Sequence, residues 1–481
     1  MSPSPGYKHP PQDSFPACSQ PSRPLLHEPD HKGLAAALDA IQIINRHGYT
    51  ALVVGGAVRD ILLQRSVKDV DLATDMPLEK LQEIFKAYDM GKSRSFQTIV
   101  LVHSGEYLET TRFRGVEEFS RDLMASADKK NLLFSKDALH RDFTINAMSL
   151  DENMVLLDPY SGQQDIILKQ VRGVQCPRAR IREDPLRMLR GIRLACEFDF
   201  ELEERTAQAM RELAPDICRI SPERAGREII RLASLNGPAF ARGIVLMDSM
   251  GLLRLLLPEV EALKDLPHDP RHHPEGDVFH HTLEAIRSNR LPDSALNMAL
   301  LAHDLGKGPV AELNPGMGSY RGHDRAARDL VRNLAQRLRL PGVVARAMQA
   351  VAVNHMRMHG LDEMRPSKIL EMVEHPYWPL LARASVCDHQ ARGTEKGRRQ
   401  QEKINQALAR VASWLDEDSK SSRPVISGNQ VMQLTGIPPG PLVGRIMRET
   451  TNWARDNDIH DRKSILEYAR HLAREHQNTS R

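Results

Sequence analysis

The chain has 481 residues, 41% of them hydrophobic and 27% charged, with a net charge of +3. That length is too great for one hydrophobic core and predicts three or four domains of an ordinary soluble protein. The near-neutral total excludes an argument for nucleic-acid binding from overall charge, so such binding has to come from local patches.

Five cysteines, Cys18, Cys176, Cys196, Cys218 and Cys387, are scattered without a CxxC pair. They read as reduced thiols rather than a disulfide frame or a zinc site. No N-terminal apolar segment is present, and the most apolar stretch, 243–260, is interrupted by Asp248, Arg254 and Pro258. The expectation is a cytoplasmic protein without a membrane span.

Residues 1–33 are rich in Pro, Ser and His and lack apolar periodicity, which predicts a disordered tail. Helical spacing then runs over 34–49, with Gly48 as a stop. The run Ala51-Leu52-Val53-Val54 reads as a buried strand, Gly55-Gly56 breaks it, and 57–63 has the spacing of a short helix. Glycines at a helix N-terminus let backbone N–H groups approach a phosphate, and Arg59 can complete that cradle. Asp69 and Asp71 lie in 67–73, which reads as a second strand whose alternate residues share a face. Two carboxylates on one face repel each other unless a hard divalent cation sits between them, so Mg²⁺ is the expected guest. Phosphate cradle and carboxylate pair together are the equipment of two-metal phosphoryl or nucleotidyl transfer, one metal at the attacking hydroxyl and one at the triphosphate.

Residues 77–88 have the pattern of an amphipathic helix, while 98–103 and 107–112 alternate as strands. Glu109 on the latter is either a third carboxylate near the metals or an ordinary cross-strand partner. The segment 114–139 is polar and weakly periodic, and a long stretch of that kind inside a compact domain is usually functional or mobile.

Taken together, GGAVRD and DVDLAT, then LETTRFR (108–114), HRDFTINAM (140–148), DPYSGQQD (158–165) and REDPLRMLRGIRLACEFDF (182–200), resemble the class II tRNA nucleotidyltransferase and bacterial poly(A) polymerase superfamily. The resemblance implies an α+β chain: a polymerase β-like nucleotidyltransferase head with a mixed sheet at 34–165, and a helical neck at 166–260. It implies Asp69 and Asp71 as catalytic metal ligands, with CTP and ATP as nucleotides and tRNA as the partner. Gly55, Gly56, Arg59, Arg141, Asp142, Asn146 and Arg190 fall on nucleotide-binding blocks. Relatives read RRDFTINA where this chain has His140 before Arg141. In the family the place of 114–139 holds a flexible loop that helps terminal adenosine addition. Asp184 and Arg187, three residues apart, read as neighbours on one helix face and resemble the EDxxR motif that selects CTP or ATP without a nucleic-acid template.

A second chemistry follows. His280 and His281 start a predicted helix, His303 and Asp304 are adjacent in an apolar run, and His323, His355, His359 and Asp388 come later. Adjacent His-Asp in an apolar helix is poor packing, since both need buried partners, but good metal ligation. His281, His303, Asp304 and Asp388 resemble the H…HD…D signature of HD-superfamily phosphohydrolases, implying Mn²⁺, Ni²⁺, Co²⁺ or Mg²⁺ in a body at 261–415. His323 and His355 either add a second metal or are hydrogen-bonded core histidines, and Lys307 can hold a phosphate. One subset of bacterial CCA-adding enzymes carries such a module, which removes phosphates from RNA 3′ ends.

Residues 391–403 are strongly basic and serve either as a tRNA contact or as a solvated helix face. A tail at 416–481 opens on a serine-rich linker at 417–423 and is read as two short helices, a Gly/Pro turn between them, and an Arg-containing helix that resembles the tRNA-binding end of the family. The rival readings are a poly(A) polymerase, an enzyme adding only part of CCA, and a non-catalytic RNA-binding protein.

Overall fold

The computed structural model describes residues 32–89, 98–115, 129–267, 276–313, 320–392, 399, 402–403, 405–406, 409, 425–457 and 459–478. Residues 1–31 of the predicted disordered tail, the whole linker at 417–423 and much of the basic segment at 391–403 lie outside these residues, while residues 32 and 33 open a helix. The chain divides into two compact units: Met1–Ser221 with Ser249–Leu252, and Pro222–Asp248 with Leu253–Arg481. The division falls inside the segment 166–260 that reads as one neck.

The first unit is built on a seven-stranded sheet of order β3-β4-β5-β2-β1-β6-β7. Its strands are β1 (Ala51–Val54), β2 (Asp71–Thr74), β3 (Lys86–Asp89), β4 (Thr98–His103), β5 (Glu106–Arg112), β6 (Ser149–Leu150) and β7 (Leu156–Leu157). Only the β2–β5 pair is parallel, so the sheet is mixed, as the sequence predicts. The unbroken apolar run of β1 has a direct cause: both faces of the sheet are covered. Val53, Val58 and Leu72 pack with α1 (Lys32–Arg46) on one side, whereas Leu52, Val54 and Ala73 pack with Leu133 and Phe134 on the other. Alternation along each strand sends neighbours to opposite cores.

Three local expectations are corrected here. The strand predicted at 67–73 begins only at Asp71, because β1 offers ladder partners from Thr74 back to Asp71, opposite Val54, and Gly55 then ends it. Asp69 therefore lies two residues ahead of the strand. The helix predicted at 77–88 is α3 (Leu78–Ile84), after which the chain turns into β3 at the sheet edge. Within 114–139, residues 116–128 lie outside the description, but Lys129–Leu139 forms α4, which buries Leu133, Phe134, Asp137 and Ala138.

Between β1 and β2 lies α2 (Gly56–Leu62). The DPYSGQQD block frames a structural clamp: Asp158 accepts from the N–H groups of Gly162 and Gln163 at 2.7 and 2.8 Å, opening α5 (Gly162–Ile167). Buried Asp165 takes hydrogen bonds from Thr144, Gln170 and Arg172. A Cβ on Gly162 would sit 2.2 Å from the Thr144 carbonyl oxygen, so only glycine allows this approach. The clamp fixes the 3₁₀ turn Thr144–Asn146. The unit continues through α6 (Pro177–Glu183), α7 (Leu186–Phe198) and α8 (Glu204–Leu213), with β8 (Gln170–Val171) parallel to β9 (Glu201–Leu202).

The second unit is helical throughout its described residues. Its elements are α9 (Pro222–Ala233), α10 (Gly237–Ser249, within this unit to Asp248), α11 (Leu253–Leu256), α12 (Pro258–Glu261), α13 (Val278–Ser288), α14 (Ser294–Ala302), α15 (Lys307–Leu313), α16 (His323–Arg337), α17 (Gly342–His359), α18 (Pro366–Val373) and α19 (Trp378–Ala391). The tail comprises one short helix, α20 (Gly428–Thr435), and two long ones, α21 (Pro441–Asp456) and α22 (Arg462–Asn478), where two short helices and an Arg-containing one are predicted. They close on a core around Val431, Ile446 and Ala469. No described helix is long and apolar enough to cross a membrane.

Candidate functional site

A cavity of about 1130 Å³ opens in the first unit where β1 gives way to α2. It brings together Gly55, Gly56 and Arg59 with Asp71 and Glu109, then Arg141, Asp142 and Asn146, and finally Asp184, Arg187 and Arg190. Asp69, exposed and just ahead of β2, is not among its lining residues. Asp71 and Glu109 are directly paired across the parallel β2–β5 ladder. Burial, then the charges of Glu109 and Asp69, raise the Asp71 carboxyl to about 6, with Arg141 pulling the other way. Crowded carboxylates at the mouth of a polar cavity are the donor set a hard divalent cation takes.

This shift has a measurable consequence. A carboxyl whose folded-state pKa exceeds its unfolded value loses stability as pH rises from about 4 through 6, and a cation that replaces the proton restores it. In thermal unfolding at pH 7.5, Asp71→Asn should raise the metal-free Tm and remove the share of the Mg²⁺-induced rise that belongs to this site. At pH 5, wild type and variant should respond to Mg²⁺ alike. Equal Mg²⁺ responses at pH 7.5 would show that Asp71 holds no cation.

Gly55 takes φ +76° and ends β1, and a Cβ there would lie 3.1 Å from Arg141 Nη1. Arg141 is itself held by buried Asp137, which accepts from its Nε and Nη2 at 3.0 and 2.8 Å and from the Arg114 N–H at 3.2 Å. Arg59 is buried and committed: Nη1 donates to Asn146 at 2.6 Å, Nε and Nη2 donate to Asp60, and the guanidinium lies 4.5 Å from the Phe198 ring centroid. Asn146 donates to Asp142, which pairs with Arg190 at 2.7 Å. Burial alone would raise the Asp142 carboxyl; Arg190, the Phe143 N–H and Asn146 hold it below the usual range instead. Arg59 is thus the first member of a chain that runs across the cavity floor.

Asp184 and Arg187 both line the cavity, but they do not share a helix face. Pro185 forces Asp184 out of the helical region, to φ −149°, so the chain breaks between α6 and α7 and Asp184 accepts from the Leu186 N–H. Arg187 donates to Glu183, to the Arg180 carbonyl and to the His140 carbonyl at 2.8 to 2.9 Å. Arg114 also donates to the His140 carbonyl, and Arg180 donates to that of Leu139. The arginines of α6 and α7 therefore grip the turn that carries Arg141 and Asp142. Burial and the charges of Arg180 and Arg114 lower the His140 pKa, which keeps its imidazole neutral at pH 7. Asp137 is a residue that reading the sequence misses; its local signal is an acid four residues before an arginine.

In the second unit His281, His303, Asp304, His323, His355 and Asp388 are all buried. Asp277 caps α13 and places His281 in its first turn. His303 is the C-cap of α14, just past Ala302, and Asp304 follows it, at the end of the apolar helix rather than within it. His281, His303 and Asp304 offer ligand atoms within 4.8 Å of one another, and so do Asp304, His323 and His355. Asp388 joins through His281, at 2.8 Å from its Nε2.

Tautomers decide what this cluster can do. The Nδ1 atoms of His303, His323 and His355 lie 2.7, 2.8 and 3.0 Å from backbone carbonyl oxygens, which only accept. A proton on Nδ1 of each satisfies these carbonyls, so each Nε2 faces inward and, when unprotonated, offers a lone pair. His323 Nε2 and His355 Nε2 are 3.0 Å apart and both face Asp304 Oδ1 at 3.4 to 3.5 Å. Buried His303 Nε2 and Asp304 Oδ1 have no hydrogen-bond partner among the described residues. Converging lone pairs around a carboxylate fit cations on either side of Asp304. Lys307 Nζ lies 2.6 Å from Asp304 Oδ2. Burial would raise the Asp304 carboxyl, but His303 and Lys307 hold it well below the usual range. Burial lowers His355.

Residues 51–172 match a family profile described as the poly(A) polymerase head domain, and 199–264 match a probable RNA and SrmB-binding site of polymerase A. The chain is 34% identical to an A-adding tRNA nucleotidyltransferase of Deinococcus radiodurans, over 65% of this chain and 73% of that one. It is also 34% identical to a multifunctional CCA protein of Halorhodospira halophila, over 67% of this chain and 77% of the relative. A CCA-adding enzyme of Geobacillus sp. matches at 40%, over 46% of this chain and 54% of its own length. The fold superposes on the crystal structure of the Bacillus stearothermophilus CCA-adding enzyme in complex with CTP, with a TM-score of 0.63 at 25% identity, covering 93% of this chain and all of that one. A cavity of paired carboxylates and arginines on a mixed sheet, within relatives of this extent, identifies the chain as a member of the bacterial CCA-adding tRNA nucleotidyltransferase family of the poly(A) polymerase superfamily.

Proposed function

We propose that the first unit transfers CMP and AMP from CTP and ATP to the 3′ end of tRNA without a template, releasing pyrophosphate. The observation that carries the reading is the cavity itself, in which the Asp71–Glu109 pair faces the Gly55 backbone and Arg141. Asp71, with Glu109 and with Asp69 at its edge, would hold Mg²⁺, which when bound supplies a Lewis acid for the terminal 3′-hydroxyl and the triphosphate. Gly55 and Gly56 leave room for phosphate oxygens against the start of α2, and Arg141 brings positive charge to them. Asp142, Asn146 and Arg190 form the hydrogen-bonded floor, and Arg59 braces it from behind.

Asp184 presents an acceptor to the base edge and Arg187 a donor fork once its carbonyl contacts rearrange. The test is incorporation of labelled CTP and ATP into tRNA lacking its terminal CCA. Wild type should use both nucleotides and reject UTP and GTP. Asp184→Ala should admit UTP or GTP, because rejection rests on polar groups left unpaired in the wrong complex, a penalty of about 1–3 kcal/mol each. Arg187→Ala should lose rate as well as selectivity, since it also frees the His140 carbonyl. Loss of rate at unchanged preference in both variants would make them structural partners only. A second reading, addition of the terminal A alone, is favoured by the A-adding relative; use of ATP but not CTP in the same assay would select it.

For the second unit we infer a metal-dependent phosphohydrolase acting on phosphate esters at RNA 3′ ends. Its support is the set of inward lone pairs of His303, His323 and His355 around Asp304, joined by His281 and Asp388. These imidazole and carboxylate donors suit Mn²⁺, Ni²⁺, Co²⁺ or Mg²⁺, which when bound would activate water and polarise the phosphate. Lys307 stands beside them to receive a phosphate oxygen. A cytoplasmic location accords with these substrates.

A further inference from the structure

His359, Asp388 and His389 make a further cluster in the second unit. His359 lies one turn beyond His355 on α17, and His389 follows Asp388 on α19. His389 is 1% exposed and its Nδ1 is 2.8 Å from the Ser385 carbonyl oxygen, so its proton is there and Nε2 carries a lone pair. That Nε2 faces His359 Nδ1 at 3.2 Å. The other nitrogen of His359, Nε2, is 2.8 Å from Asp388 Oδ2. Asp388 thus has one oxygen on each side: Oδ1 toward His281 and Oδ2 toward His359. One ligand atom from each of His359, Asp388 and His389 lies within 4.8 Å of the others.

We propose that His359, Asp388 and His389 hold a third divalent transition-metal ion, with Asp388 bridging it to the position of His281, His303 and Asp304 as Asp304 bridges that position to His323 and His355. The proposal rests on the reading of His281, His303 and Asp304 as metal ligands and extends it into a row of three cations. Two imidazoles and a carboxylate form a borderline donor set, which favours ions such as Mn²⁺, Co²⁺ or Zn²⁺ over Mg²⁺. Arg392 competes for the place: its Nη2 is 3.2 Å from His359 Nδ1 and 3.8 Å from Asp388 Oδ2. When the ion is bound, the guanidinium is displaced and left beside the row, where an anionic phosphate ester can take it as a counter-charge.

The test is metal content of the full chain, stripped with chelator, reloaded with Co²⁺ and counted by elemental analysis, each variant being compared with wild type so that ions bound elsewhere cancel. His389→Ala and His359→Ala should each lose one ion per chain relative to wild type, and His303→Ala should lose ions independently of them. Arg392→Gln should keep the full count and release the third ion more slowly into chelator, by about 10-fold or more if the guanidinium competes as a unit charge. If His389→Ala fails to fold, His389→Gln, which keeps the size of the side chain but ligates poorly, decides. Unchanged content in the His359 and His389 variants, with loss in His303→Ala, overturns the third site alone and leaves Arg392 as the resident cation. Unchanged content in all three overturns both readings.

Discussion

Asp71→Asn should lower incorporation of labelled nucleotide into tRNA by roughly a thousandfold, because a Lewis-acid contact supplies several kcal/mol and about 1.36 kcal/mol is worth a factor of ten. The affinity for tRNA should stay nearly unchanged, since one carboxylate at the cavity mouth contributes little to holding a polyanion. The physical ground is the pairing of Asp71 with Glu109 across the ladder, two acids side by side on a partly buried sheet end. Such a pair is unfavourable without a cation, and the neutral amide removes both the repulsion and the ligand. Asp69→Asn should cost less, because Asp69 is exposed and stands ahead of the strand rather than on it. Single-turnover incorporation at saturating tRNA separates the two. Wild-type turnover in Asp71→Asn would end the metal assignment.

That difference between Asp69 and Asp71 marks how far the sequence could be read. The glycine break after Val54, the helix after it and the strands predicted at 98–103 and 107–112 are local features, and they form within a residue of where they are expected. The nucleotide-binding blocks, far apart in the chain, converge on one cavity. What could not be read depends on partners distant in sequence. The length of β2 is set by β1 and stops where Gly55 stops it. Residues 86–89 become an edge strand because β4 offers a free ladder, overriding a helical pattern. The break at Pro185 is legible in principle, since the residue before proline avoids the helical region, yet the three-residue spacing of Asp184 and Arg187 reads as one helix face. Asp137 and His389 share a different obscurity. Each earns its place through a side chain on another segment or element, Arg141 for the one and His359 for the other. A lone buried acid or histidine carries no such mark in the sequence.

The two chemistries should be separable by mutation. His303→Ala or Asp304→Asn should abolish hydrolysis of a 3′-phosphate or 2′,3′-cyclic phosphate ester with Mn²⁺ or Ni²⁺, while CTP and ATP incorporation stays near wild type. Asp304 is the centre of the cluster: His303 Nε2 lies 3.2 Å from one oxygen, and His323 and His355 face the other. Its replacement by Asn removes the charge that gathers the cations while keeping the shape, so loss of hydrolysis cannot be blamed on a cavity. The nucleotide cavity is lined only by residues of the first unit, between Val54 and Glu197, and shares no ligand with the cluster. Loss of its metals should therefore leave nucleotide transfer alone. The converse variant, Asp71→Asn, should keep full hydrolysis. Phosphate release at the wild-type rate from Asp304→Asn would mean that the buried histidines serve packing, and simultaneous loss of both activities would mean that the units depend on each other for folding, which a matched thermal unfolding curve would show as a common transition.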